Sequence, residues 1–302
     1  MDVFIGLIRN ILEEGLIYGI MAMGVYITYS VLNFPDLSVD GTFPLGMCVT
    51  AALIVNGTDP LLACVIAFIC GALAGCLTGL LHVKLKITNL LSGILTMTAM
   101  WSVNLVVTDG RAVLPFYNMK TIFNSGLSEL LPKRLYTYRI VLIALIAVIL
   151  MKLLLDLYLK TKSGLLLRAT GDNLQFVISL SKDPGTMKIV GLSIGNGFTA
   201  LAGSILSQQS ESANINSGTG MVVMALASVI IGTSLFRKIK FLKPTTMAVF
   251  GSIIYKACLV IAMQLGLPTN FLKLLMAVIF TVALVSSNLL KGGSKGDVEI
   301  PQ

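Results

Sequence analysis

The chain has 302 residues, 56% of them hydrophobic and only 12% charged, where soluble domains carry about 25% charged residues, so a fold around one water-bounded core is excluded. The net charge of +8 does not point to nucleic acid, because Lys and Arg fall in short loops between apolar spans, with no basic stripe interleaved with aromatics. The single histidine, His82, rules out a His-based triad or metal cluster, and the five cysteines, Cys48, Cys64, Cys70, Cys76 and Cys258, sit in apolar stretches without CxxC spacing and read as packing residues.

In chain order, Val3, Phe4, Leu7, Ile8, Ile11 and Leu12 recur at helical spacing, with Asp2, Arg9, Asn10, Glu13 and Glu14 on the other face. This pattern predicts an amphipathic surface helix over residues 1–14, too polar to span. No cleavable signal peptide is expected, since a basic n-region is missing. Crossings are then predicted over 15–32, 43–55, 61–81, 88–108, 139–159, 186–207, 218–236, 245–265 and 271–290, about nine in all. Leu61 to Leu81 and Thr88 to Thr108 contain no charged residue, and each supplies the ~20 residues a helix needs to cross the hydrocarbon layer. Apolar residues run continuously rather than at every second position, which selects helices over a membrane barrel. Asp59 before Pro60 and Asp183 before Pro184 are helix-entry signals, an N-cap acceptor ahead of a proline suited to the first turn.

The stretches 84–86, 160–188, 237–243 and the tail from Lys291 carry most of the Lys and Arg, and nine crossings put them on one, cytoplasmic side. The connections 56–59, 208–217 and 266–270 carry none, as an external face should; the loop 109–138 is the exception, external by parity yet holding Arg111, Lys120, Lys133 and Arg134. Gly15-Leu16-x-x-Gly19 recurs as Gly191-Leu192-x-x-Gly195, five crossings later. An odd offset reverses orientation, the inverted-repeat plan of many transporters. The expected organisation is therefore one all-α polytopic membrane domain. Its first repeat is 15–108, its external loop 109–138, its cytoplasmic loop 160–185, its second repeat 186–290 and its cytoplasmic tail 291–302.

The interruption Asn33-Phe34-Pro35-Asp36-Leu37-Ser38-Val39-Asp40-Gly41-Thr42 separates a full span from a short apolar run and implies a broken helix. Carboxylates at membrane depth are tolerated where they are buried in protein or line a watery cavity. Asp36 and Asp40 are accordingly pathway candidates, with an interfacial role open for Asp36 and an N-cap role at the half-helix from Phe43 open for Asp40. Among polar residues inside spans, Asn104 and Asn196 are selected as pathway residues, Lys152 and Asp156 are four apart and suited to pair, and Trp101 suits packing or pore lining equally. The segment from Thr161 leads to Leu174, Phe176, Val177, Ile178 and Leu180 on a short helix capped by Asp172 or Asn173. Its apolar face either packs under its own bundle or docks into a partner's cleft.

Three features together resemble the permeases of the branched-chain amino acid and ribose type of ABC importers. They are the N-F-P-D break after the first span, the T-K-S-G and R-A-T-G-D-N loop after the fifth, and the glycine-rich span that follows. F-P-D-L-S-V-D-G-T-F-P-L-G is similar to the branch associated with uptake of tryptophan, tyrosine and related amino acids in Gram-positive bacteria. The resemblance covers Gly15 to Leu290 and implies a type II importer-like fold in the inner, cytoplasmic membrane. It also implies a second permease copy, two ABC ATPase subunits and an extracytoplasmic solute-binding protein as partners. It puts Asn33, Phe34, Pro35 and Asp36 near the pathway, and Gly164, Arg168, Ala169, Gly171 and Asp172, with Phe176 and Val177, in the coupling segment that docks into the ATPase. Pro35-Asp36 departs from branched-chain permeases, which carry a small residue, a histidine and a glycine after N-F. The chain has no G-x-x-x-x-G-K-[ST], so ATP and Mg are expected on partner subunits, with no cofactor, metal or catalytic residue here. The rival readings are a stand-alone transporter with Asp36 binding a coupling ion, and a lipid-processing enzyme with Asp36 and Asp40 on a metal.

Overall fold

The computed structural model describes residues 2–126, 133–179, 181, 183–237, 239, 241–266, 268 and 271–292. Helix α1 is Asp2–Val25 and runs on as a π turn, Tyr26–Val31; it is followed by α2 (Val39–Val55), α3 (Pro60–Val83), α4 (Asn89–Val107) and α5 (Arg139–Tyr158). Two short helices, α6 (Lys162–Asp172) and α7 (Leu174–Ser179), lead into α8 (Pro184–Ser210), α9 (Met221–Leu235), α10 (Pro244–Gln264) and α11 (Leu272–Gly292). Strands β1 (Val113–Pro115) and β2 (Ser212–Asn214) form one antiparallel pair, with Leu114 opposite Ala213. Among the described residues seven segments are long and apolar enough to cross a membrane, with α2 and Leu272–Val285 as shorter apolar helices.

The expected surface helix over 1–14 is not separate. Residues 2–31 form one unbroken helix, and its apolar, spanning part is Ile5–Val31. The charges that made the first turns look interfacial are met inside the bundle: Glu13 by Arg9 and Gln209, Glu14 by Lys256. The second apolar run starts at Val39 rather than Phe43, so Pro44 lies inside α2.

Both proline-led entries form as the sequence dictates. Asp59 accepts from the Leu61 and Leu62 amides (2.9 and 3.3 Å), and Asp183 from those of Gly185 and Thr186 (2.9 and 3.1 Å). These bonds, with one from the Thr186 hydroxyl, hold the Asp183 carboxyl below the usual carboxylate range.

Basic loops gather at one end of the bundle. There Lys188 at the start of α8 reaches His82 at the end of α3 (3.0 Å), and Lys243 before α10 reaches Asp156 near the end of α5 (2.9 Å). Asp156 also takes Lys152 (3.3 Å) and the Thr245 hydroxyl (2.8 Å), so the expected i,i+4 pair is a clamp between α5 and α10. At the other end, the loop 109–138 pairs through β1 and buries Phe116, Ile122 and Phe123, which accounts for its length. Residues 127–132, Leu180, Lys238, Lys240, Asn270 and the tail from 293 lie outside the described residues.

Helix α8 is the axis on which α1, α2 and α3 pack. A Cβ at Gly75 would collide with the Leu192 carbonyl, so glycine there lets α3 press directly onto α8. The inverted arrangement is visible around this axis. Helices α1 and α8 run in opposite senses, each ends at a left-handed residue, Asn33 (φ 53) and Glu211 (φ 50), and each is followed by a helix that starts inside the bundle. Helix α10 packs on α1 as α3 packs on α8. The glycine echo is not part of this relation, because Gly15 and Gly19 face α10 while Gly191 faces Leu32 and Leu167 and Gly195 faces Thr28.

Candidate functional site

The break brings the chain from the basic end of the bundle to its centre. Leu32 and Phe34 donate to the Ile27 and Thr28 carbonyls (3.0 and 2.8 Å), closing the π turn. Asn33 and Pro35 are exposed, whereas Phe34 is buried edge-on against His82, with ring centroids 5.2 Å apart. His82 Nε2 faces Lys188, which leaves Nδ1–H to donate to the Ile87 carbonyl (2.8 Å).

Asp36 then turns inward and is nearly sealed. Its Oδ1 accepts from the Ser38 amide (2.9 Å), starting α2, and its Oδ2 accepts from Asn196 Nδ2 (2.7 Å). Asn196 Oδ1 accepts from the Ser38 and Thr42 hydroxyls (3.1 and 2.7 Å), and its Nδ2 also donates to the Leu192 carbonyl (3.1 Å). All four side chains are buried. Both carboxylate oxygens accept from N–H donors, and among the described residues no acceptor faces them. The structure thus encloses Asp36 as the keystone between α2 and α8 instead of leaving it open.

Asp40, half-buried, does not cap its own half-helix. Its two oxygens accept from the Gly220 and Val222 amides (3.0 and 2.8 Å), so it caps α9 from across the bundle. The acceptor at the start of α2 is Asp36, so the cap expected of Asp40 there falls to Asp36, while Asp40 serves a different helix. Asn104 is buried and donates to the Gly41 carbonyl (3.2 Å) beside this junction, while its Oδ1 has no partner among the described residues. Asp36, Asp40, Asn104 and Asn196 thus converge on the first turn of α2. Trp101 lies elsewhere, 52% exposed on the outer face of α4.

A second polar group was not legible as a site. Lys256 of α10 pairs with Glu14 of α1 (2.5 Å), beside the Tyr18 ring, and Glu13 is approached by Arg9 (3.4 Å) and Gln209 (3.5 Å). The signal that could have found it is Lys256 itself, a lone lysine within an apolar span.

At the basic end, Thr161 caps α6 through the Gly164 amide (3.2 Å) and Asn173, not Asp172, caps α7 through the Phe176 amide (3.1 Å). Gly164 and Leu167 are buried and Ala169 is half-buried, whereas Arg168 and Asp172 are exposed. A Cβ at Gly171 would strike the Val31 carbonyl, so α6 abuts the chain immediately before the break. Val177 is fully buried under its own bundle, while Leu174, Phe176 and Ile178 are exposed. Of the two outcomes open for this apolar face, each residue takes one: Val177 packs inward and its neighbours face out.

An apolar groove of about 410 Å³ runs between α3, α5 and α8, lined by residues such as Phe68, Ile146 and Leu201. It offers no polar group to a charged solute. Among the described residues no three His, Cys, Asp or Glu side chains cluster in a way that could hold a metal.

Residues 7–284 match the family described as "Branched-chain amino acid transport system / permease component". The chain is 42% identical over 282 residues to the tyrosine transport system permease protein of Clostridioides difficile, covering 93% of this chain and 92% of that one. It is 32% identical over 226 residues to the ribose import permease protein RbsC of Bacillus subtilis, covering 74% and 67%. Its fold is similar to that of PsaBC from Streptococcus pneumoniae in complex with Fab, with a TM-score of 0.52 at 13% identity over 95% of each chain.

Proposed function

The chain belongs to the family of permease components of branched-chain amino acid transport systems, and on that premise we propose that it is the membrane-spanning subunit of an ATP-driven amino-acid importer. It is a multi-pass cell-membrane protein. The observation that carries the reading of the solute is the 42% identity, along nearly the whole chain, to a tyrosine transport permease. Aromatic or other hydrophobic amino acids are the proposed solutes. ATP and Mg bind on two partner ATPase subunits, a solute-binding protein delivers from outside, and a second copy of this chain completes the pathway.

In this reading the exposed Leu174, Phe176 and Ile178 dock into the ATPase, with Gly164, Arg168, Ala169, Gly171 and Asp172 shaping the segment that carries them. Movement of α6–α7 reaches the pathway through two contacts. Gly171 bears on Val31, and the π turn passes the displacement to Asn33, Phe34, Pro35 and Asp36. The Asp36–Asn196 contact then joins α2 to α8, so both repeats move together. π turns recur at functional positions in helices.

Co-expression with an ABC ATPase and a solute-binding protein tests this. A stable complex whose ATP hydrolysis rises when tyrosine-loaded binding protein is added is the expected result. A permease that purifies alone and whose presence never alters the ATPase contradicts it.

A further inference from the structure

Glu14 and Lys256 sit deep in the membrane and take no part in the coupling chain. Residue 254 is the midpoint of Pro244–Gln264, so Lys256 lies about 3 Å along the axis from the centre of its span. Residue 18 is the midpoint of Ile5–Val31, and Glu14 is about 6 Å from it. The interface is roughly 15 Å from the bilayer centre, so neither side chain escapes to it.

The pair is also not sealed. The Lys256 side chain is 12% exposed and that of Glu14 22%. Charges opened at this depth do not face hydrocarbon; they line water or protein. A polar track leads to them from the outer end of α1, from Arg9, whose side chain is 40% exposed, to Glu13, which Gln209 of α8 also approaches. Beside the pair lie two buried rings. Lys256 Nζ is 5.9 Å from the centre of the Tyr18 ring, which is 6.3 Å from that of Phe43.

We infer that Glu14 and Lys256 form a binding station for a zwitterionic solute, Glu14 taking its ammonium group and Lys256 its carboxylate; this rests on the amino-acid reading above. The solute replaces one internal ion pair with two external ones, so no charge is left unpaired at low dielectric while it is held. The reverse exchange restores the internal ion pair when it leaves. The Tyr18 ring, buried beside Lys256 Nζ, forms a fixed apolar wall at this site.

The test separates this role from a simple brace between α1 and α10. The full complex is reconstituted in liposomes with the binding protein and ATP, tyrosine as the probe and uptake normalised to inserted, ATPase-bound permease. A brace needs only that no charge be left unpaired, so Glu14→Gln combined with Lys256→Met would restore uptake. A binding station predicts that this double variant assembles with the ATPase yet loses uptake roughly tenfold or more. Uptake within about twofold of wild type overturns the inference. Should the neutral pair fail to insert, the exchanged pair Glu14→Lys with Lys256→Glu keeps the ion pair. Low uptake by that inserted variant supports the station, because the two charges are reversed relative to the rings, and wild-type uptake overturns it. A wild-type complex that does not form sinks the proposed function instead.

Discussion

Replacing Asp36 by Asn removes one buried acceptor oxygen without changing the size of the side chain. In the native network both carboxylate oxygens accept, one from the Ser38 amide at 2.9 Å and one from Asn196 Nδ2 at 2.7 Å. Asn offers a single acceptor, so its NH2 group must face one of those two donors. Asn196 can flip to meet it, and the Ser38 and Thr42 hydroxyls can turn to accept, but those hydroxyls then lose the Asn196 oxygen to which they donate. Either arrangement gives up at least one buried hydrogen bond of the network. The cost is about 1–3 kcal/mol. Asp36→Ala leaves both donors without their acceptor and costs about twice that. The assay is the melting temperature of the purified permease in detergent, read with the yield of inserted protein. The expected order of stability is wild type, then Asp36→Asn, then Asp36→Ala. A fully stable Asp36→Asn that has lost uptake would refute the keystone role and return Asp36 to the open pathway.

Asp40→Ala removes the acceptor for two amides at the start of α9 and lowers stability by about 1–2 kcal/mol, measured in the same melts; an unchanged melting temperature would mean that α9 needs no cap from α2. At the basic end, Phe176→Asp with Ile178→Asp abolishes ATPase co-purification with yield intact, whereas Val177→Asp lowers the yield, since that residue is fully buried; normal pulldown by the first variant removes α7 from the interface. A cysteine at Ser212 reacts with an impermeant maleimide from outside, and one at Phe241, 95% exposed, only from inside. The reverse pattern inverts the orientation.

Local chemistry made much of this fold legible. Asp59-Pro60 and Asp183-Pro184 announced two helix starts because cap and proline act within three residues. Pro35 and Asp36 announced the break because neither fits a continuous span. What stayed hidden depends on partners far along the chain. Asp40 looked like the cap of its own helix, but the amides it satisfies belong to Gly220 and Val222. Glu13 and Glu14 looked like a wet face because Gln209 and Lys256 are nearly two hundred residues or more away. Periodicity alone likewise gave Val177 and Phe176 one shared face, and only packing against α8 sends one inward and the other out.

The most direct measurement is uptake of radiolabelled tyrosine by liposomes that contain the permease and its ATPase, with binding protein outside and ATP inside. The account predicts accumulation that requires ATP and the ATPase, persists when ion gradients are collapsed and is lost without the binding protein. Accumulation by the permease alone, driven by a proton or sodium gradient, would contradict it.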